Sequence, residues 1–240
     1  MFKVVLVLCL LAVVSSLHIP SFIKACSKSD PNFNDCALEQ TKAAYPSISK
    51  GDKQFKAPPL NPFFMPLIEV DTGPNLALKM KELTVKGLDN AEFTDVKFDL
   101  EKNKAHLKLS TDLNFDGSYD INGQILVLPI TGSGHCNITF SHADFEYVFE
   151  WDVIDKDGKK YANVKDAHLD LKLKRAYFLL ENLFNGDKLL GDNMNMVLND
   201  NWEEVMKEVG AGINHTIEVV VTNILKAYFE KIPYNEMFVD

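Results

Sequence analysis

Positive charge is scarce in this chain. Against 34 Asp+Glu stand 25 Lys+Arg, leaving a net charge of -9 over 240 residues. No dense Lys/Arg run offsets the excess, which excludes nucleic acid and anionic membrane as partners. Long apolar runs are also lacking. The longest, residues 4–14, spans about eleven residues where a bilayer needs roughly 20. No stable membrane insertion is expected.

Signatures of catalysis and metal binding are missing too. Gly132-Ser133-Gly134 is no nucleophile elbow, because Thr131 stands where its first Gly would have to be. Histidines at 18, 106, 135, 142, 168 and 215 show no H-E-x-x-H or similar metal spacing. His106 and His168 fall on polar strand faces, and Asp155 with Asp157 sits in a lysine-rich turn, so solvated surface is the reading for all four. There is no phosphate-binding glycine loop. No enzyme, catalytic residue, metal ligand or cofactor is expected.

What is present starts with a leader. Lys3, the apolar run and Ser15-Ser16 read as a secretory signal peptide over residues 1–16, leaving 17–240 as a single secreted, extracellular domain. Cys9 leaves with it, so Cys26, Cys36 and Cys136 remain. The segment between Cys26 and Cys36 is rich in turn residues and suited to closure, although three cysteines allow three single bridges. In a secreted chain the sequons at Asn137 and Asn214 become candidate glycan acceptors.

Residues 36–44 read as a short helix, with Asp35 as N-cap and Pro46 ending or kinking it. A stiff segment follows, Ala57-Pro58-Pro59-Leu60-Asn61-Pro62. From about 68 to 181 the period is two, as in Leu107, Leu109, Thr111, Leu113 and Phe115, or Phe145, Tyr147, Phe149, Trp151 and Val153. Such alternation marks antiparallel strands that are apolar on one face only. Turns are expected at 101–104, 116–118, 131–134 and 155–158.

A helix of about 30 residues ends the chain, started by Asp200 and Glu203 and stopped by Pro233. Trp202, Val205, Met206, Val209, Ile213, Ile217, Val220, Ile224 and Tyr228 form its apolar stripe, with Glu204, His215 and Thr222 opposite. Long strands with one apolar face need a long apolar object to wrap, and the simplest arrangement encloses the apolar stripe of this helix in the chain's own curved sheet.

Several of these features also form one wording. Leu128-Pro129-Ile130, Leu183-Phe184-Asn185-Gly186-Asp187-Lys188, Leu198-Asn199-Asp200-Asn201-Trp202 and Ile232-Pro233-Tyr234-Asn235 together resemble the takeout family, an insect group that includes haemolymph juvenile-hormone-binding proteins. The likeness covers the mature chain. It implies that Cys26 and Cys36 form the disulfide shared across the family. It gives no partner for a second bridge, which favours takeout-like members over the hormone carriers proper.

The implied fold is α+β: a long C-terminal helix wrapped by a highly curved antiparallel sheet, elongated, with an internal hydrophobic tunnel. The implied function is carriage of an extended hydrophobic small molecule, by a chain expected to be a monomer. Sixteen Phe against two Trp suit such a lining, since Phe gives area without a donor to satisfy. The expected lining residues are Phe64, Phe98, Phe149, Trp151 and Phe178, with Met196, Trp202, Met206, Val209 and Ile213. The competing readings are a packed-core protein acting through its surface and a lipid esterase, the latter disfavoured by the missing elbow.

Overall fold

The computed structural model describes residues 17–70 and 73–240. The expected signal peptide lies outside the described residues. A two-residue strand, β1 (Cys26–Ser27), precedes helix α1 (Phe33–Ile48). The helix is longer at both ends than the sequence indicated. Asn32, not Asp35, is its N-cap residue; Asp35 sits in the first turn, where the helix dipole favours an acid. Pro46, in the last turn, gives up the one intrahelical bond its own N–H would make, and the helix runs two residues past it.

Strands β2 (Phe63–Val70), β3 (Leu76–Lys86), β4 (Glu92–Asp99), β5 (Lys104–Ile125), β6 (Leu128–Lys156) and β7 (Lys159–Leu180) form one antiparallel sheet. Its order is β2-β3-β5-β6-β7, with β4 paired to the far part of β5. Helices α2 (Lys188–Asp200), α3 (Trp202–Phe229) and α4 (Tyr234–Met237) follow, and β8 (Phe238–Val239) closes the chain by pairing with β1 in parallel.

This topology corrects the expected architecture. The class is α+β, but the sheet is open: β2 and β7 are its two ends and do not pair with each other. Among the described residues there is no strongly curved or closed sheet, and so no tunnel formed by one. Helix α3 lies along β7 and runs opposite to it. Arg175 meets Trp202 near one end, and Leu169 donates its backbone N–H to Glu218 farther on. The length of the strands suggested wrapping. A strand of 22 residues extends about 70 Å and a helix of 28 about 42 Å, so the strands outrun the helix beside it.

Two of the four expected turns also fall elsewhere. Residues 101–104 and 155–158 join strands, whereas 116–118 lie within β5 and 131–134 within β6. The glycines there serve close approach of backbones. A Cβ on Gly117 would sit 2.9 Å from the Lys81 carbonyl oxygen, beside the bulge that shifts the β3–β5 register. One on Gly134 would sit 2.4 Å from the carbonyl oxygen of Glu181. The true β5–β6 reversal is at Leu126 and Val127, both left-handed (φ 51° and 63°), a conformation unfavourable for leucine and more so for β-branched valine. Both carboxylate oxygens of Glu208 on α3 accept from the Leu126 N–H at 3.1 Å and hold the reversal.

Candidate ligand cavity

Three layers converge on one space. The apolar faces of β3 to β7 supply Met80, Leu83, Phe98, Phe115, Phe149 and Leu169; α3 supplies Ile213, Ile217, Val220, Val221, Ile224 and Leu225. Helix α1 and the segment before it close the remaining side through Ala37, Tyr45, Ile48, Ile19 and Ile23. The cavity they bound has a volume of about 390 Å³ and an almost wholly apolar wall. Volumes of this order accommodate small organic ligands.

The disulfide helps to position that cover. Cys26 and Cys36 are bonded at 2.01 Å, which ties the N-terminal segment to the first turn of α1. From the other terminus, Glu236 accepts the Ile19 N–H at 3.0 Å and pairs with His18 Nδ1 at 2.9 Å. Burial acts to raise the Glu236 pKa, but these bonds outweigh it and hold the carboxyl below its ordinary value. Cys136 is a free thiol, fully buried in β6. Burial, and then the charge of Asp116, push its pKa up to about 11, so it is an unreactive small apolar group.

Of the ten residues expected to line a ligand space, Phe98, Phe149 and Ile213 border this cavity. The other seven lie elsewhere. Phe64 is 57% exposed and Met196 61% exposed. Trp151 is buried one layer back, in ring contact with Phe98 and Phe149 and stacked on Phe238. The Phe178 N–H is held by Asn199 Oδ1 at 2.9 Å, where the C-terminal end of α2 packs against β7. Trp202 packs under Arg175, Val209 belongs to the filled part of the core, and half-buried Met206 packs against it. Residue type and helical phase selected these positions, and neither records depth along the helix. Thr222, expected to face outward, instead meets Tyr147 of β6, oxygen to oxygen at 2.7 Å. Val221 and Leu225, beside the apolar stripe, were not singled out by its spacing.

The sequons occupy ordered structure. Asn137 is half-buried in β6, donating to Asp116 Oδ2 at 3.0 Å and accepting from Asn114 at 2.9 Å. Asn214 follows the cavity residue Ile213 on α3. Among the described residues no group of His, Cys, Asp or Glu could hold a metal ion, and no helix is long and apolar enough to cross a membrane.

An open antiparallel sheet, a long helix along its edge strand and an apolar cavity between them define an α+β cavity protein. The model of the haemolymph juvenile hormone binding protein (JHBP) family matches residues 4–239, and the chain belongs to that family. It stands with the takeout-like members. The crystal structure of Epiphyas postvittana Takeout 1 superposes with a TM-score of 0.82 at 27% identity, over 91% of this chain and 100% of that one. The circadian clock-controlled protein daywake of Drosophila melanogaster is 26% identical over 231 residues, 91% of this chain and 88% of the relative. Its Drosophila yakuba counterpart is 26% identical over 236 residues, 93% and 90% of the two chains. The general function of the family is carriage of hydrophobic ligands.

Proposed function

We propose that this protein is a secreted carrier whose cavity holds one extended hydrophobic small molecule, of terpenoid, fatty-acid-like or similar lipid chemistry. The observation that carries the reading is the apolar wall itself, enclosing about 390 Å³. Each methylene buried there contributes about 0.8 kcal/mol. A ligand of about 15 carbons therefore gains about 12 kcal/mol before the loss of translational and rotational freedom, several kcal/mol, is deducted. Micromolar binding needs about 8 kcal/mol net. Family membership supports secretion, with residues 1–16 removed as a signal peptide and 17–240 acting as one ligand-binding domain. Glycan attachment at Asn137 and Asn214 belongs to the same reading.

The test is titration of delipidated protein with long-chain isoprenoids and fatty acids. Trp151 is a suitable fluorescence reporter because it touches the wall residues Phe98 and Phe149. Saturable one-to-one binding is expected, and Val220→Trp, which projects bulk into the cavity, should weaken it at least tenfold with the fold retained. If folded, delipidated protein binds none of these probes and native mass spectrometry of fresh material shows no adduct, the carrier reading fails.

A further inference from the structure

The cavity wall is almost free of charge. Among the described residues that border it there is no Asp, Glu, Arg or His, and the one ionised side chain is Lys24. Lys24 is exposed, so the space reaches the surface there, between the N-terminal segment and α1. Among the described residues Lys24 has no ion-pair partner. The carboxylates at this end are engaged elsewhere, Glu236 with Ile19 and His18 and Asp240 with Lys28.

Gln40 and Thr41 join it from α1. That helix turns Ala37, Gln40, Thr41, Ala44, Tyr45 and Ile48 to the cavity, the spacing of a single helix face. Packing against an apolar space gives no reason for an amide and a hydroxyl in the middle of that stripe. Both side chains are half-buried, neither makes a hydrogen bond among the described residues, and neither has a polar atom sealed out of reach. The other hydroxyls of the wall are spent or enclosed. Thr216 donates to the Gly212 carbonyl oxygen at 2.8 Å, the bond to residue i−4 that a helical threonine commonly makes and Thr41 does not. Tyr45 donates to the Leu88 carbonyl oxygen, Tyr147 meets Thr222, and the Tyr228 hydroxyl is sealed in the core. The reachable, unspent donors therefore lie on two segments that the disulfide ties together. Lys24 is two residues before Cys26, and Gln40 is one turn after Cys36.

We propose that this mouth is a headgroup site and that the ligand is a long-chain carboxylic acid, its carboxylate held by Lys24, Gln40 and Thr41 and its chain in the apolar space beneath. The proposal rests on the carrier reading above and narrows it. An ammonium, an amide N–H and a hydroxyl are all donors, and a carboxylate is an acceptor with room for about four of them. Bonds to an ionised acceptor are the stronger kind. One ammonium matches a singly charged head, whereas a phosphate monoester carries close to two charges. At the mouth the head also keeps part of its hydration, which avoids the cost of burying an ion. A hydrocarbon would gain nothing from these three side chains.

The experiment compares pentadecanoic acid, 1-pentadecanol and pentadecane, equal in carbon count, by competition against a fluorescent apolar probe at neutral pH, where the acid is ionised. In Lys24→Glu, which turns attraction into repulsion, the ratio of acid to alcohol affinity should fall about tenfold. Lys42→Glu makes the same change of net charge on an exposed residue of α1 outside the wall, and should leave that ratio unchanged. Gln40→Leu combined with Thr41→Val should weaken the acid about tenfold and leave pentadecane no weaker. A ratio unchanged in Lys24→Glu, or lowered as far by Lys42→Glu, overturns the headgroup site while leaving the carrier reading standing. So does a wild type that binds the alcohol and not the acid. Failure of wild type to bind any of the three overturns the carrier reading, and the headgroup site with it. Should a variant not fold, the salt dependence of wild type decides. Raising ionic strength should weaken the acid and not the alcohol, because screening acts on the exposed ammonium alone, and equal responses overturn the site.

Discussion

The two halves of α3 carry one apolar stripe into different surroundings. In the first half Val205 and Val209 are 3% and 4% exposed, in one continuous cluster with Leu198 of α2 and Ile125 and Ile130 of the β5–β6 hairpin. From the middle of the helix onward, Ile213, Ile217, Val220, Val221, Ile224 and Leu225 are equally apolar yet only half-buried, because they border open space. Periodicity states which face of a helix avoids water. It is silent on whether the facing surface fills the contact. Here the filled half anchors the helix, and the open half leaves volume that no side chain of the described residues occupies.

The strongest way to break this comparison is to put a charge in each half. Val209→Asp buries a carboxylate without a partner and should destabilise by about 4 kcal/mol in urea unfolding. Val220→Asp, at the border of the cavity, where water can solvate the new group, should cost about half as much. Equal losses would mean that the open half is packed after all. Next in size is the disulfide, which closes a sequence step of 10 residues. Replacing both Cys26 and Cys36 by Ser should remove about 3 kcal/mol. The local effect sharpens the contrast. Hydrogen exchange should speed up in α1 and the N-terminal segment that cover the open half, and much less around Val205 and Val209.

Truncation separates the halves more finely. Val209→Ala removes packed atoms and leaves a void, an expected loss of about 2 kcal/mol. At Val220 the side chain already borders a void, so only part of the transfer term is lost, under about 1 kcal/mol. The cavity border also predicts opposite responses to enlargement: Val209→Leu overpacks, whereas Val220→Leu should be neutral for stability and should weaken ligand binding.

Much of the frame was legible in the sequence, and its limits have identifiable causes. Alternation marked the strands, because a one-sided sheet repeats every two residues. The stripe from Trp202 to Tyr228 marked α3 almost to its ends. Helix α2 went unread although Asp187 caps it by accepting the Leu190 N–H at 3.0 Å. Leu189, Leu190 and Met196 stay exposed on it, so no clean apolar face announces it. The reversal at Leu126 and Val127 has no turn residues, since Glu208, 82 positions away, holds it. Conversely, the glycines near 117 and 132–134 look like turns because close approach of backbones and chain reversal both favour glycine. The cavity wall was readable in kind and only partly in place.

The smallest expected effect concerns the cover of the open half. Glu236 accepts from Ile19 and His18, and its pKa is held below the ordinary value despite burial. For a carboxyl lowered in the folded state, the stabilisation is complete above the unfolded pKa of about 4.3 and is lost as pH falls through the lower, folded value. The pair with exposed His18 adds little, so the contribution should be under about 1 kcal/mol. The measurement is the stability difference between wild type and Glu236→Gln across pH. The gap should be constant above about pH 5 and should close as pH falls below about 4, where the wild-type carboxyl becomes protonated and resembles the amide. Hydrogen exchange should locate the change in residues 17–25, with the filled half of α3 unaffected. A gap that persists undiminished at pH 3 would show that packing of Ile19 and Ile23, rather than the Glu236 carboxylate, holds the segment over the cavity.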